Sequence, residues 1–480
     1  MVSLEDGRNH AADADEQSFW SDPVAYFGSS YTKMHSMPRH HVEELQQRAL
    51  SIRFQQQREE IPMLDKLATT QGIKAVTGFD EAFPLFFEQA IYKSYPLSLL
   101  VNNRFDQLTT WLNKLTSSNL SRVSAAGCVS IDGWLDLLNQ ETDLDPLAAP
   151  TATGAMQFLP RNKRDWDLQM RSFRIGNLQR FGAEPTKRDL VDPVHTLWPT
   201  YADGHVAQFR IGRYAFKYFS LDRKEYCHAA YPGAGSSDLM FLAARMRAAA
   251  TKGDGTKVEV PKALLARRGE LEEQQRNMPE RQTQFIEELV GKLAGERVFT
   301  ASTWTFYYDI AKKGLARGQS CRFAPDSVLQ TGGGAKGLVV PDDWEQVIKE
   351  FFGVDKLIMG YGMTEVTATN WLCEYNCYHL QPWLIPYLID PASNMLLPRK
   401  GWQSGRLALF DIAMTGHWGG IVSPDLVELN FDWDCPCGRK SPHLSRDIQY
   451  VGGAQGGSDK ITCAATPEAQ ATAMEFLLGS

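Results

Sequence analysis

"DSVLQTGGGAKGLVVPDDWEQVIKEFFGVDKLIMGYGMTE", residues 326–365, holds two short apolar runs, each closed by glycines, with an amphipathic stretch between them. "DSVLQ" has the length and composition of a buried strand and runs into the turn "TGGGAKG". "PDDWEQVIKEFF" sets Trp344, Val347, Ile348, Phe351 and Phe352 on one helical face, with Asp342 or Asp343 suited to the helix N-terminus. "DKLIM" reads as a second strand and ends in "GYGMTE". Strand, helix, strand is a βαβ unit, so the two strands are parallel and both glycine turns open on one edge of the sheet. Open α/β sheets bind nucleotides and other ligands at such edges.

The residues at that edge fit a nucleotide. Gly332, Gly333 and Gly334 lack β-carbons, so backbone can approach a flat base or a phosphate. Tyr361 offers a ring for stacking, Thr364 a hydroxyl for a phosphate oxygen and Glu365 a hard oxygen ligand for magnesium. The same glycines also suit a plain turn, and the tyrosine plain packing.

Working outward, the 480-residue chain is long enough for two or three packed subdomains. Its 43% hydrophobic and 11% aromatic content fits a globular protein and excludes a disordered one. The formal charge of −7 comes from interleaved acidic and basic residues and leaves no electrostatic footprint for nucleic acid. No apolar run reaches the roughly 18 residues of a membrane span, and the polar start "MVSLEDGRNHAADADEQ" lacks a signal-peptide core. A cytoplasmic protein that binds neither nucleic acid nor membrane is expected. Residues 1–35 read as a loosely ordered lead-in. Helical stripes follow at Val42, Leu45, Ala49 and Ile52 and at Phe105, Leu108, Leu112 and Leu115; Glu270 to Arg281 reads as a solvated helix face.

"TGGGAKG", "YGMTE", "GRLALFD", "SPDLVEL" and "CPCGR", in that order, resemble the adenylate-forming superfamily of acyl- and aryl-CoA ligases, on the branch of phenylacetate-CoA ligase and the acyl-protein synthetase of bacterial luciferase systems. The resemblance is strong from about Pro325 to Lys460 and weaker back to about Pro96. It implies an α/β fold: the large N-terminal domain of such an enzyme, with mixed and parallel sheets flanked by helices and without the small C-terminal domain. The expected divisions are a helical lead-in at 1–95, a first α/β subdomain at 96–320, a nucleotide-binding α/β subdomain at 321–445 and a hinge-like tail at 446–480. It implies activation of a carboxylic acid with ATP and magnesium, followed by transfer of the acyl group to a thiol, either coenzyme A, a carrier protein or a cysteine of the enzyme. By the same resemblance Gly333 and Gly334 face adenine, Tyr361 stacks on it, Thr364 contacts the α-phosphate, Glu365 holds magnesium and Asp425 binds the ribose hydroxyls.

Two departures bear on activity. The family's phosphate loop, roughly Ser-Gly-Thr-Thr-Gly-Lys, corresponds to "APTATGAMQ" upstream of "FLPR", so one glycine and the lysine are missing. Thr151, Thr153 and Gly154 remain as phosphate donors; a loop that no longer binds phosphate is the alternative. After the hinge-like "GGSDKITCA" only some twenty residues follow, so the small domain with its catalytic lysine is expected to be absent, leaving Arg446 as the nearest cation for ribose or phosphate. Cys463 beside Lys460 is a candidate acyl acceptor, with a packing thiol as the plainer alternative.

Four of the eight cysteines lie between Cys373 and Cys437. Cys373, His379, Cys435 and Cys437 supply three sulfurs and one nitrogen, the donor set of a closed structural zinc site. Relatives of phenylacetate-CoA ligase with similar Cys-x-Cys-Gly-Arg segments favour this set over one using Cys377; buried free thiols are the alternative. Acid-pocket walls are expected among "CHAAYPGAGSS", "ASTWTFYY" and "HWGG", with Trp304, Tyr307 and Trp418 as clasping or core aromatics. An acyl- or aryl-adenylating ligase leads. An acyltransferase or amide-forming enzyme fed by an activated donor, and a non-catalytic subunit of an acyl-processing complex, are the other readings. A homodimer is the default assembly.

Overall fold

The computed structural model describes residues 17–179, 186–252, 258–332, 340–432 and 434–450, with Ala473, Met474 and Leu477. Gly333, Gly334 and Cys463 lie outside the described residues.

The fold is α/β, built on two main sheets. A six-stranded sheet runs in the order Cys227–Ala234, His195–Asp203, Val298–Ala301, Val328–Thr331, Ile358–Tyr361, Asn370–Trp371. All its pairings are parallel except the last. The expected βαβ unit is present: Val328–Thr331 pairs in parallel with Ile358–Tyr361, and the connection carries the helix Trp344–Phe352. That helix buries Ile348, Phe351 and Phe352. It packs on the helix Trp304–Leu315 so closely that a Cβ on Gly314 would lie 2.0 Å from Phe351 Cε2. Asp343 takes the N-cap position, but its carboxylate accepts from Tyr308 Oη at 3.2 Å and makes no cap bond. This sheet draws strands from both sides of residue 320.

A seven-stranded sheet, absent from the sequence reading, runs Cys377–His379, His443–Ser445, Gly420–Asn430, Trp402–Asp411, Leu384–Ile389. Gln449–Tyr450 pairs antiparallel, and Phe87–Glu88 parallel, with Gly420–Asn430. Leu384–Ile389 is buried at every position, so its apolar run carries no alternation to mark it as a strand. A hairpin, Leu147–Pro150 with Met156–Leu159, presents residues 151–155 at its tip.

One expectation needs correction. From residue 17 on, the lead-in is packed: Phe19, Val24, Phe27 and Tyr31 are buried in the main core, and the Tyr31 ring meets the edge of Trp371 at 5.6 Å. Five aromatics between Phe19 and Tyr31 supply enough apolar area to order the segment against its polar surroundings. Among the described residues no helix is long and apolar enough to cross a membrane.

Candidate active site

The site forms where the two sheets meet. Gly332, directly after Val328–Thr331, and Gly360, within Ile358–Tyr361, touch: a Cβ on Gly332 would lie 2.7 Å from the Gly360 carbonyl oxygen. Only glycine allows that approach, which sets the C-terminal ends of the two strands side by side on one edge. From this edge Tyr361 Oη donates to Asp425 Oδ2 at 2.7 Å. Asp425 lies on Gly420–Asn430, so the pair joins the two sheets. Burial pushes the Asp425 carboxyl above its usual range, opposed by the Tyr361 bond, with the Glu365 charge adding to the rise. A phenol ring and a carboxylate thus sit side by side, as recognition of a flat base and a diol would need.

Four residues on, Glu365 is fully buried and hydrogen-bonded at both oxygens. Its Oε1 accepts from Gln89 Nε2 and Gln157 Nε2, both at 2.6 Å, and its Oε2 accepts from Thr364 Oγ1 at 3.0 Å. Arg161, itself buried, donates to the Val366 carbonyl next along the chain. Burial lowers the Arg161 pKa, while Asp165, Asp411 and Glu365 hold the charge in place.

Residues 151–155 turn inward upon themselves. Thr151 Oγ1 lies 2.9 Å from Thr153 Oγ1 and donates to the Ala155 carbonyl at 2.9 Å. Gly154 adopts a φ of +82°, and a Cβ there would come within 3.1 Å of Ala248 Cβ, so the loop rests on the helix Ser237–Lys252. Through Gln157, two residues beyond its end, this loop's hairpin reaches Glu365. Arg446 is half exposed, with its guanidinium 3.7 Å from Glu345 Oε1. Trp304, Tyr307 and Trp418 are core side chains; Tyr307 Oη bonds Thr300 Oγ1 and the Gln330 carbonyl, both at 3.0 Å.

The segment leaving Glu365 crosses to the second sheet and delivers the thiols. Cys373, His379, Cys435 and Cys437 place one donor atom each within 4.8 Å of the others. Cys373 Sγ and Cys435 Sγ are 3.9 Å apart, and Cys437 Sγ is 3.2 Å from His379 Nε2. Tetrahedral zinc with Zn–S bonds near 2.3 Å requires sulfurs about 3.8 Å apart, so the donor set fits the ion. Burial, with the His35, His443 and Arg439 charges, drives the His379 pKa down to about 2, leaving a neutral ring. Ser441 Oγ lies 3.0 Å from His379 Nδ1, which orients Nε2 toward the cluster. Cys377, Cys435 and His443 form a second such group that shares Cys435.

Gln89, Gln157 and Arg161 were not singled out by sequence reasoning. Gln157 and Arg161 do fall inside the quoted "APTATGAMQ" and "FLPR". Gln89 meets Glu365 across 276 positions, and no local pattern signals that contact.

No protein-family model matches the chain. No curated protein matches it either. The chain is similar to solved structures of several enzymes. One is an open conformation of 2-hydroxyisobutyryl-CoA ligase in complex with 2-HIB-AMP and CoA, at 13% identity and a TM-score of 0.45, covering 87% of this chain and 71% of that one. Another is an ATP-bound RpMatB-BxBclM chimera, at 12% identity and a TM-score of 0.35, covering 65% and 48%. A third is the luciferase-like enzyme from the nonluminescent Zophobas morio mealworm, at 12% identity and a TM-score of 0.32, covering 64% and 57%.

Proposed function

We propose that this chain is an adenylate-forming enzyme that activates a carboxylic acid with ATP and passes the acyl group to a thiol. The observation that carries the reading is the meeting of the Tyr361–Asp425 pair and the Thr364–Glu365 pair at the edge where Gly332 and Gly360 touch. A base against the Tyr361 ring and ribose hydroxyls on Asp425 would lay the α-phosphate toward Thr364. The acid's carboxylate oxygen attacks the α-phosphorus, the bond to the bridging oxygen breaks, and pyrophosphate leaves. The thiol sulfur then attacks the acyl carbon, its proton is lost, and AMP departs. Magnesium on Glu365 would offset the charge that builds on the phosphates. The chain's own part is alignment: Tyr361 and Asp425 hold the nucleoside, and the Thr364 hydroxyl, which donates to Glu365 Oε2 in this structure, turns its one proton to the phosphate.

Zinc in the Cys373, His379, Cys435 and Cys437 set would be structural, since four protein ligands leave no open position. Coenzyme A or a carrier thiol is the acceptor class; Cys463 remains an internal candidate on sequence grounds.

One observation favours a second reading. Thr151 and Thr153 bond each other, and the loop between Pro150 and Met156 has no lysine, so its hold on a triphosphate is weak. An acyltransferase fed with a pre-activated donor would not need that hold. Labelled-pyrophosphate exchange with ATP, magnesium and a panel of acids separates the two. Acid-dependent exchange supports adenylation; acyl transfer from a thioester without ATP supports the alternative. Specific complex formation with neither activity marks a non-catalytic subunit.

A further inference from the structure

Cys377 has no place in the four-ligand set, yet it is buried beside it. The strand Cys377–His379 pairs antiparallel with His443–Ser445, and His379 lies directly opposite His443. Alternate residues of a strand share a face, and so do residues opposite one another, so Cys377, His379 and His443 project from one face of this pair. Cys435 meets that face. Cys377, Cys435 and His443 place one donor atom each within 4.8 Å of the others, and Cys435 belongs equally to the set of Cys373, His379 and Cys437.

The six donors thus form two groups hinged on one sulfur. A thiolate, the form in which cysteine binds metal, has three lone pairs on sulfur and can bridge two ions; a neutral histidine nitrogen has one and cannot. The His443 ring is set for binding. Its Nδ1 lies 3.1 Å from the Ser441 carbonyl oxygen, which only accepts, so Nδ1 carries the proton of the neutral ring and Nε2 the free lone pair. Ser441 therefore orients both rings, His443 through its carbonyl and His379 through its hydroxyl, as outer partners of metal-binding histidines do.

We propose that Cys377, His443 and a bridging Cys435 form a second metal site, so that the knot takes two zinc-type dications sharing the Cys435 sulfur. This rests on Cys373, His379, Cys435 and Cys437 holding the first ion. As the second ion binds, the Cys377 thiol, which donates to the Tyr375 carbonyl at 3.5 Å, loses its proton to solvent and gains the metal bond. Two dications balance four thiolates, and two neutral rings complete an uncharged group, which burial favours over the net negative charge of one ion with three thiolates. Soft sulfur donors select zinc, cobalt or cadmium over magnesium or calcium. Three ligands, one of them shared, hold an ion less firmly than four, so purified protein keeps the first ion and the second enters on titration, with water in its fourth position. The pair clamps the edge strand Cys377–His379 to His443–Ser445, and through it to Gly420–Asn430, the strand that carries Asp425.

Cobalt(II), which follows zinc into thiolate sites and reports on its ligands, tests the proposal. Full-length protein produced with cobalt(II) in place of zinc should carry one ion and take up a second on anaerobic titration. Sulfur-to-cobalt charge-transfer absorption should then rise by about two-thirds, as three cobalt–sulfur bonds become five. The electron paramagnetic resonance of the first ion should fall as the second binds, because ions that share a sulfur couple their spins. Cys377→Ser should keep the first ion and lose the second. His443→Gln should do the same, and the near-isosteric serine variant guards against a His443 variant that does not fold. Absorption that stops at one equivalent in the wild type, or a second equivalent retained in both variants, overturns the proposal. A resonance that grows in proportion to bound cobalt overturns the bridge. Folded wild type that binds no cobalt instead overturns the four-ligand site on which the proposal rests, and a single ion lost in Cys377→Ser overturns both.

Discussion

Residues 361–365 and 373–379 belong to one short stretch of chain, yet their side chains are satisfied in opposite ways. In the first, Tyr361 bonds to the distant Asp425 and Glu365 to the distant Gln89 and Gln157, with Thr364 bonded to Glu365 beside it. The result is a buried carboxylate held by three hydrogen bonds, with Oε2 the less occupied oxygen. In the second, Cys373 and His379 face Cys435 and Cys437 in a largely buried knot that gathers three sulfurs and one ring nitrogen. Burial pushes the neighbouring Cys377 thiol up to about 11, which shows how poorly that site tolerates thiolate without a metal. The first arrangement suits a ligand that comes and goes; the second suits an ion that stays. Changes in the first should therefore reach chemistry more than stability, and changes in the second the reverse.

The largest effect should come from the knot. One zinc per chain is expected by elemental analysis of purified protein. Cys435→Ser should cost stability on the order of 5 kcal/mol, part of the ~10–16 kcal/mol that zinc contributes to small zinc modules. Denaturant unfolding before and after chelation measures it; a purified protein that carries no metal and unfolds at the same midpoint with or without chelator would break the comparison. Next comes Glu365→Gln. Pyrophosphate exchange should fall by roughly 10²–10³-fold, the loss typical of one group that stabilises developing charge, with the unfolding midpoint nearly kept. A large midpoint shift with normal exchange would move Glu365 into the structural half.

Asp425 sharpens the contrast through pH. Asp425→Ala should weaken AMP binding by about 1.5–3 kcal/mol in titration calorimetry. In the wild type the raised carboxyl pKa has two consequences of opposite sign. The native state holds a proton that the unfolded state has already lost, so this group's contribution to stability improves as pH falls toward the ordinary carboxylate range. Nucleotide binding needs the ionised acceptor, so affinity is lost over the same fall. Asp425→Asn should flatten both trends. Affinity and stability that move together on acidification would place Asp425 among the structural groups.

The fold and the site were legible to different depths. The βαβ unit could be read because an amphipathic helix between two apolar runs carries its own period, and Ile348, Phe351 and Phe352 are buried as that period requires. The seven-stranded sheet could not, because Leu384–Ile389 has no period and its partners lie along the chain where only tertiary contact selects them. Tyr361 and Glu365 stood out by residue type beside the glycines, and Asp425 only through the resemblance carried by "SPDLVEL". Gln89 and Gln157 did not, since an amide signals nothing until the carboxylate it bonds is found. Cys373 and Cys435, 62 positions apart, were paired by donor chemistry, and the structure brings them to 3.9 Å.

The smallest effect is expected in the loop that hairpins toward Glu365. Thr153 is exposed, and its hydroxyl bonds Thr151 within the same turn, so Thr153→Ala should change stability by no more than about 0.5 kcal/mol. Its effect on binding depends on which nucleotide is offered. If the loop opens onto the β- and γ-phosphates, the lost hydroxyl weakens ATP by about 0.5–1.5 kcal/mol and leaves AMP untouched. That difference, read by calorimetry on both nucleotides, would assign the loop to the ligand-facing half of the molecule despite its missing lysine. Equal affinities in variant and wild type for ATP as well as AMP would mean that the Thr151–Thr153 bond is the loop's resting and working state alike. The phosphates would then be held from the 361–365 side alone, and the chain would be better suited to an acyl group activated elsewhere than to a triphosphate of its own.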